Sequence, residues 1–146
     1  MNEELVAALN IVLGNTFQMY YRAHSYHWNV EGPNFPQYHA FFEMIYKEVY
    51  DVIDTIAEHI RQLGDYVPSS VTQLVLNSKI TNGETGVPDA LDMLVSLNDI
   101  NDVVIASLKE AYMIAEHAGE IGVSNFLQDR VIAHQKHGWM LKATAK

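Results

Sequence analysis

Apolar residues recur at spacings of three and four along most of this chain, a pattern that predicts long amphipathic helices. Over residues 3–29 the stripe runs through Leu5, Leu9, Val12, Leu13, Phe17 and Tyr20. It stops at Glu31–Asn34, where Gly32 and Pro33 break a helix. Residues 35–63 read as one uninterrupted second helix, with Pro36 tolerated in its first turn. Asn34 is its expected N-cap, Gln37 completes a weak capping box, and Gly64 is its stop. Its apolar stripe is Phe41, Ile45, Val49, Val52, Ile53, Ile56 and Ile60. A third helix is expected from near Pro88 to about His117, through Leu91, Leu94, Leu97, Val104, Ile105, Leu108, Tyr112 and Ala115. After a break at residues 117–122 a fourth covers about 123–143, with Phe126, Leu127, Val131, Trp139 and Met140.

The connection at 65–86 is too long for an ordinary helix–helix loop. Residues 71–77 (VTQLVLN) are expected to form a short helix within it, and 82–86 (NGETG) a turn. Such a length suits a crossover between helices that are not antiparallel neighbours. The predicted fold is therefore an all-α, ferritin-like four-helix bundle, one domain over residues 1–146.

Composition narrows the chemistry. Apolar residues make up 49% of 146, enough for a real core. The absence of cysteine excludes disulfides, thiolate metal sites and cysteine nucleophiles. No apolar run approaches the roughly 18 residues of a membrane span. The acidic start does not resemble a signal peptide, so a cytoplasmic location is expected. Nine basic against 18 acidic residues give a net charge of −9, and the first basic residue is Arg22. That balance repels phosphate backbones and attracts cations.

Candidate metal ligands stand in this acidic frame. His27 is near the end of the first helix. His39 and Glu43 lie at i and i+4 on the second helix, and Asp54 and Glu58 repeat that spacing. Two imidazoles with carboxylates suit ferrous iron, manganese or zinc. Asp54 and Glu58 also interrupt the apolar run of Val52, Ile53 and Ile56, where a charge must be paired, bound to metal or carried to an interface. A single chain, however, cannot join the two groups. His39 and Asp54 are 15 positions apart. At about 1.5 Å per residue they are separated by about 22 Å along the helix. A second copy of the helix, antiparallel across a two-fold axis near Tyr46 and Lys47, would set His39 of one chain opposite Asp54 of the other. The spacing thus predicts a metal centre at a subunit interface, twice per dimer. No Glu is followed three positions later by His, so the Glu-x-x-His pattern of an intra-bundle di-iron site is missing.

The run HWNVEGPNFPQYHAFF…DVIDTIAEHIRQLG resembles the signature of the Dps family, the mini-ferritins, and LQDRVIAHQKHGWMLKA is similar to that family's last helix. The resemblance covers nearly the whole chain. It implies a hollow homododecamer of four-helix subunits that acts as a ferroxidase. Ferrous iron would be oxidised by hydrogen peroxide at the dimer interface, and ferric mineral stored in the cavity, protecting against oxidative damage. The implied site takes His27 and His39 from one subunit and Asp54 and Glu58 from its neighbour, with zinc or manganese as other possible occupants. Glu43 stands where the family often has Asp, as ligand or nearby base. Trp28 would intercept oxidising equivalents, its alternative role being interface packing. Glu120 and Asp129 fall where the family lines its iron pores.

His24, His59, His117, His134 and His137 are expected to be surface or satisfied polar residues, although His24 could assist His27 from three positions away. Members of the family that bind DNA commonly do so through basic tails. Here Glu3 and Glu4 open the chain and only Lys142 and Lys146 lie near its end, so unaided DNA binding is expected to be weak. Two rival readings are a non-catalytic nucleoid-condensing protein and a helical assembly protein with a structural zinc.

Overall fold

Glycines with positive φ and short polar caps set several helix ends in the computed structural model, which describes residues 2–81 and 84–146. Helix α1 spans Glu3–Asn29, with Glu3 and Glu4 in its first turn complementing the helix dipole. Gly32, at φ +119°, turns the chain into α2, Phe35–Asp51. The expected capping box does not form. The Asn34 side chain accepts no bond, and its carbonyl instead receives the Tyr38 N–H at 3.1 Å.

The second helix is not continuous. Val52 separates α2 from α3, Ile53–Gln62. Its N–H turns to the Val49 carbonyl, three residues back, at 3.4 Å, and the regular ladder resumes where Ile56 N–H meets Val52 O. This tightening of one turn keeps the buried face in register. Phe42, Ile45 and Val49 on α2 are followed by Ile56 and Ile60 on α3, whereas Phe41, Val52 and Ile53 are only half-buried. Gly64, at φ +97°, ends α3 as expected.

The crossover contains the anticipated short helix, α4, Val71–Leu76, capped by Ser70, whose Oγ accepts from Gln73 N–H. It docks on α1 at Gly14 and Asn15. A Cβ on Gly14 would lie 2.8 Å from the Leu74 carbonyl oxygen and 2.9 Å from Ser78 N. Asn15 Oδ1 accepts from Ser78 Oγ at 2.8 Å and Lys79 N–H at 2.7 Å. Of the expected turn at 82–86, Asn82 and Gly83 lie outside the described residues; Gly86 has φ +90°.

Helix α5, Ala90–His117, is capped by Asp89, and α6 spans Ile121–Ala145. Helix α1 packs against α2 and α5, and α5 against α6. Three stripe assignments shift. Leu91 and Trp139 are exposed, and Met19 rather than Tyr20 is buried on α1. The inward face of α6 runs through Leu127, Arg130, His134, His137, Gly138 and Leu141. No described helix is long and apolar enough to cross a membrane.

Candidate metal centre

The α1–α2 turn is short, so the last turn of α1 lies beside the first turn of α2 and brings His27 against His39. Each ring nitrogen Nδ1 stands 2.7 Å from the other residue's backbone carbonyl oxygen. A carbonyl only accepts, so both rings carry their proton on Nδ1. In the neutral rings this leaves both Nε2 lone pairs free, which is how metal-binding histidines are usually oriented. The rings stack with centroids 3.7 Å apart, and Phe35 stacks on the far side of His39.

Glu43, one turn after His39, joins the pair. Its Oε1 lies 3.9 Å from His27 Nε2, and one donor atom from each of His27, His39 and Glu43 falls within 4.8 Å of the others. Among the described residues no other group of three histidines and carboxylates converges in this way. Lys47 Nζ holds Glu43 Oε2 at 2.8 Å. That hydrogen bond and charge keep the Glu43 carboxyl below its ordinary range and raise Lys47. A cation entering here competes with Lys47 for Glu43.

Asp54 and Glu58 are not part of this group. Both are exposed on α3, so within one chain they neither ligate nor disturb the core. Apolar side chains of α1 and α2 face solvent too: Tyr21, Trp28, Met44 and Tyr50 are 52, 54, 40 and 56% exposed. His24 stands between the rings of Tyr46 and Trp28, at centroid distances of 3.8 and 3.9 Å, and shares a 2.9 Å hydrogen bond with the Tyr20 hydroxyl. Burial, then the neighbouring His27, lowers its pKa, and its ring nitrogens do not converge with the donor atoms of His27, His39 and Glu43.

Glu120 accepts a 3.0 Å hydrogen bond from Asn2 Nδ2 and ties the start of α6 to that of α1, and Asp129 is exposed. Two histidines expected to be surface or satisfied residues, His134 and His137, are buried and contact Arg130 and Glu48 respectively. The signal for this was present: Leu127, Arg130, His134, His137 and Leu141 follow the helical period of a buried face.

A sequence profile of the ferritin-like domain matches residues 6–146. The chain is 35% identical over 143 residues to the "DNA protection during starvation protein" of Brevibacillus brevis, covering 97% of this chain and 95% of that one. It is 32% identical over 146 residues to "General stress protein 20U" of Bacillus subtilis, covering 98% of each. The crystal structure of a Dps protein from Vibrio cholerae O1, described as a member of a broad superfamily of ferritin-like diiron-carboxylate proteins, superposes with a TM-score of 0.93. Its identity is 29%, over 99% of this chain and 91% of that one.

Proposed function

The chain belongs to the ferritin-like family, and within it to the Dps proteins, and on that footing we propose that it is an iron-storage and detoxifying ferroxidase working as a hollow dodecamer. Ferrous iron is its substrate, hydrogen peroxide the oxidant and ferric mineral the stored product. The carrying observation is the reciprocal His27–His39 clasp, which leaves two Nε2 lone pairs beside the Glu43 carboxylate. Imidazole and carboxylate together suit ferrous iron.

The donor set of one chain is short of carboxylate. Asp54 and Glu58 are exposed, and His39 is about 22 Å from Asp54 along the helix axis. A second copy packed antiparallel on α2 and α3 supplies them and covers the exposed Tyr21, Trp28, Met44 and Tyr50. His27 and His39 then bind and orient ferrous iron, while Asp54 and Glu58 of the partner stabilise the ferric product. Peroxide takes one electron from each of two ferrous ions and two protons, leaving two ferric ions and two waters. Subsequent hydrolysis of ferric iron releases protons that the carboxylates accept. Twelve chains at −9 carry a formal −108, which draws ferrous iron in and opposes DNA binding.

The test is a His27→Gly, His39→Gly cage. Zinc, a redox-silent probe, should bind more than about 100-fold more weakly, since losing only a hydrogen-bond partner behind a ligand costs about 10- to 100-fold. Peroxide-driven iron oxidation should fall to the protein-free rate while the cage stays assembled. Oxidation at the parent rate would refute the assignment.

A further inference from the structure

The bundle interior holds a second polar constellation, remote from His27 and His39 in sequence. Arg130, His134 and His137 lie at i, i+4 and i+7 on α6 and are 5, 1 and 3% exposed. Glu48 reaches them from α2. Its Oε1 accepts from Arg130 Nη2 at 2.9 Å and from His137 Nε2 at 2.7 Å, and its Oε2 accepts from Arg130 Nη1.

The hydrogen bonds fix the state of His134. A guanidinium has donors only, so the 2.9 Å contact from Arg130 Nη2 makes His134 Nε2 an acceptor. The ring proton is therefore on Nδ1, where Asn101 Oδ1 receives it at 2.9 Å. The Asn101 amide is itself oriented by donating to the His134 carbonyl at 2.8 Å. Burial lowers the His134 pKa well below its ordinary value and keeps the ring neutral. This is the arrangement of a metal-bound imidazole, with one nitrogen's proton held by an amide oxygen and the other's lone pair aimed at a cation. A carboxylate completes the cradle. Two buried atoms, Arg130 Nε and His137 Nδ1, have no hydrogen-bond partner among the described residues, so the guanidinium fills the cradle without saturating it.

We propose that Arg130 is a built-in cation that occupies, and thereby closes, a divalent-cation site that Glu48, His134 and His137 would form inside the bundle once the guanidinium is gone; with it in place their donor atoms stand farther apart than those of the His27–His39–Glu43 group. A guanidinium does not deprotonate in proteins, so this site is filled whatever the metal supply. The missing Glu-x-x-His pattern and the filled cradle have the same consequence, a bundle interior that takes no metal. The corollary that iron is confined to the His27–His39 centre rests on the proposed function; the closed interior site does not.

The test uses assembled protein in which His27 and His39 are both replaced by Gly, so the result is independent of any iron oxidation at that centre. In this background Arg130→Ala and Arg130→Gln are titrated with cobalt and zinc. Each variant should bind one additional cation per chain, at least about tenfold tighter than the Arg130 parent, as expected when a buried competing charge is removed. Zinc should raise the melting temperature of both variants and leave the parent unchanged. Arg130→Lys, which keeps a cation in place, should gain no site, and adding Glu48→Gln should abolish the gained one. Folded Ala and Gln variants that bind no more cobalt than the parent would overturn the proposal. So would failure of both to fold even in saturating zinc, because the cradle should accept that ion as a substitute.

Discussion

His27 and His39 hold one another by a reciprocal exchange, each Nδ1–H donated to the other's backbone carbonyl at 2.7 Å, with the rings stacked 3.7 Å apart. Because each acceptor is main chain, replacing one ring leaves the other's tautomer in place. His39→Ala should therefore keep the His27 bond and lose one ligand and the stack. Calorimetric zinc titration should show affinity about 10- to 100-fold below the parent. An unchanged affinity would remove His39 from the site.

Lys47 competes with any cation for Glu43, which it holds at 2.8 Å. Lys47→Met should release the carboxylate and remove a like charge from beside the metal. Zinc should then bind about two- to fivefold tighter, a modest gain because the ion pair it replaces is solvent-exposed. The gain should shrink as salt is raised, since both groups are screened. Weaker binding in Lys47→Met would show that Glu43 is not used.

Gly14 lets the crossover lie directly on α1. An added methyl would meet the backbone of Leu74 and Ser78 at 2.8 and 2.9 Å, and backbone cannot move aside as a side-chain tip can. Gly14→Ala should cost about 1–3 kcal/mol through overpacking, despite alanine's better helix propensity. Denaturant titration measures the loss, and hydrogen exchange should locate it at residues 71–80. A variant as stable as the parent would mean that α4 does not pack this closely.

The buried network makes stability depend on pH. Burial alone would raise the Glu48 carboxyl, but hydrogen bonds from Arg130 and His137 outweigh it and hold the folded value far below the ordinary 4.5. Stability from Glu48 is therefore full above pH 4.5 and is lost as pH falls towards that depressed value. His134, lowered chiefly by burial, has the same sign. Below pH 6.5 the unfolded chain takes up a proton that the folded chain refuses, so stability declines from there downward. Melting temperatures across this range should fall from pH 6.5 and faster below 4.5. His134→Gln should flatten the upper part of that slope and Glu48→Gln the lower. A parent protein more stable at pH 5 than at pH 7 would contradict this sign.

Much of this architecture can be read from the chain because glycines, prolines and short polar residues mark the ends of its helices. Gly32, Gly64 and Gly119 all adopt positive φ at the expected breaks. The interruption at Val52 has no such mark, since it is a tightening of one turn within an apolar run that continues on the same face. Trp139 is exposed because the inward face of α6 carries arginine and two histidines in place of an all-apolar stripe. Those polar residues are stable there only because Glu48 and Asn101 come from other helices, a tertiary fact that spacing along α6 does not contain. The His27–His39–Glu43 group was legible as residue types. The carbonyl exchange that orients it depends on the close α1–α2 turn.

In the proposed dimer each site takes His27, His39 and Glu43 from one chain and Asp54 and Glu58 from the other. Chains carrying His27→Gly and His39→Gly should be co-assembled with chains carrying Asp54→Ala and Glu58→Ala, and peroxide-driven oxidation of ferrous iron measured. Neither homogeneous cage has an intact site. A mixed dimer has one intact site and one lacking all four replaced ligands. Activity should therefore return to about a quarter of the parent level if pairing is random, and to about half if every dimer is mixed. Verified mixed cages with no recovered activity would contradict the account, and would mean that one chain supplies the whole site across the break at Val52.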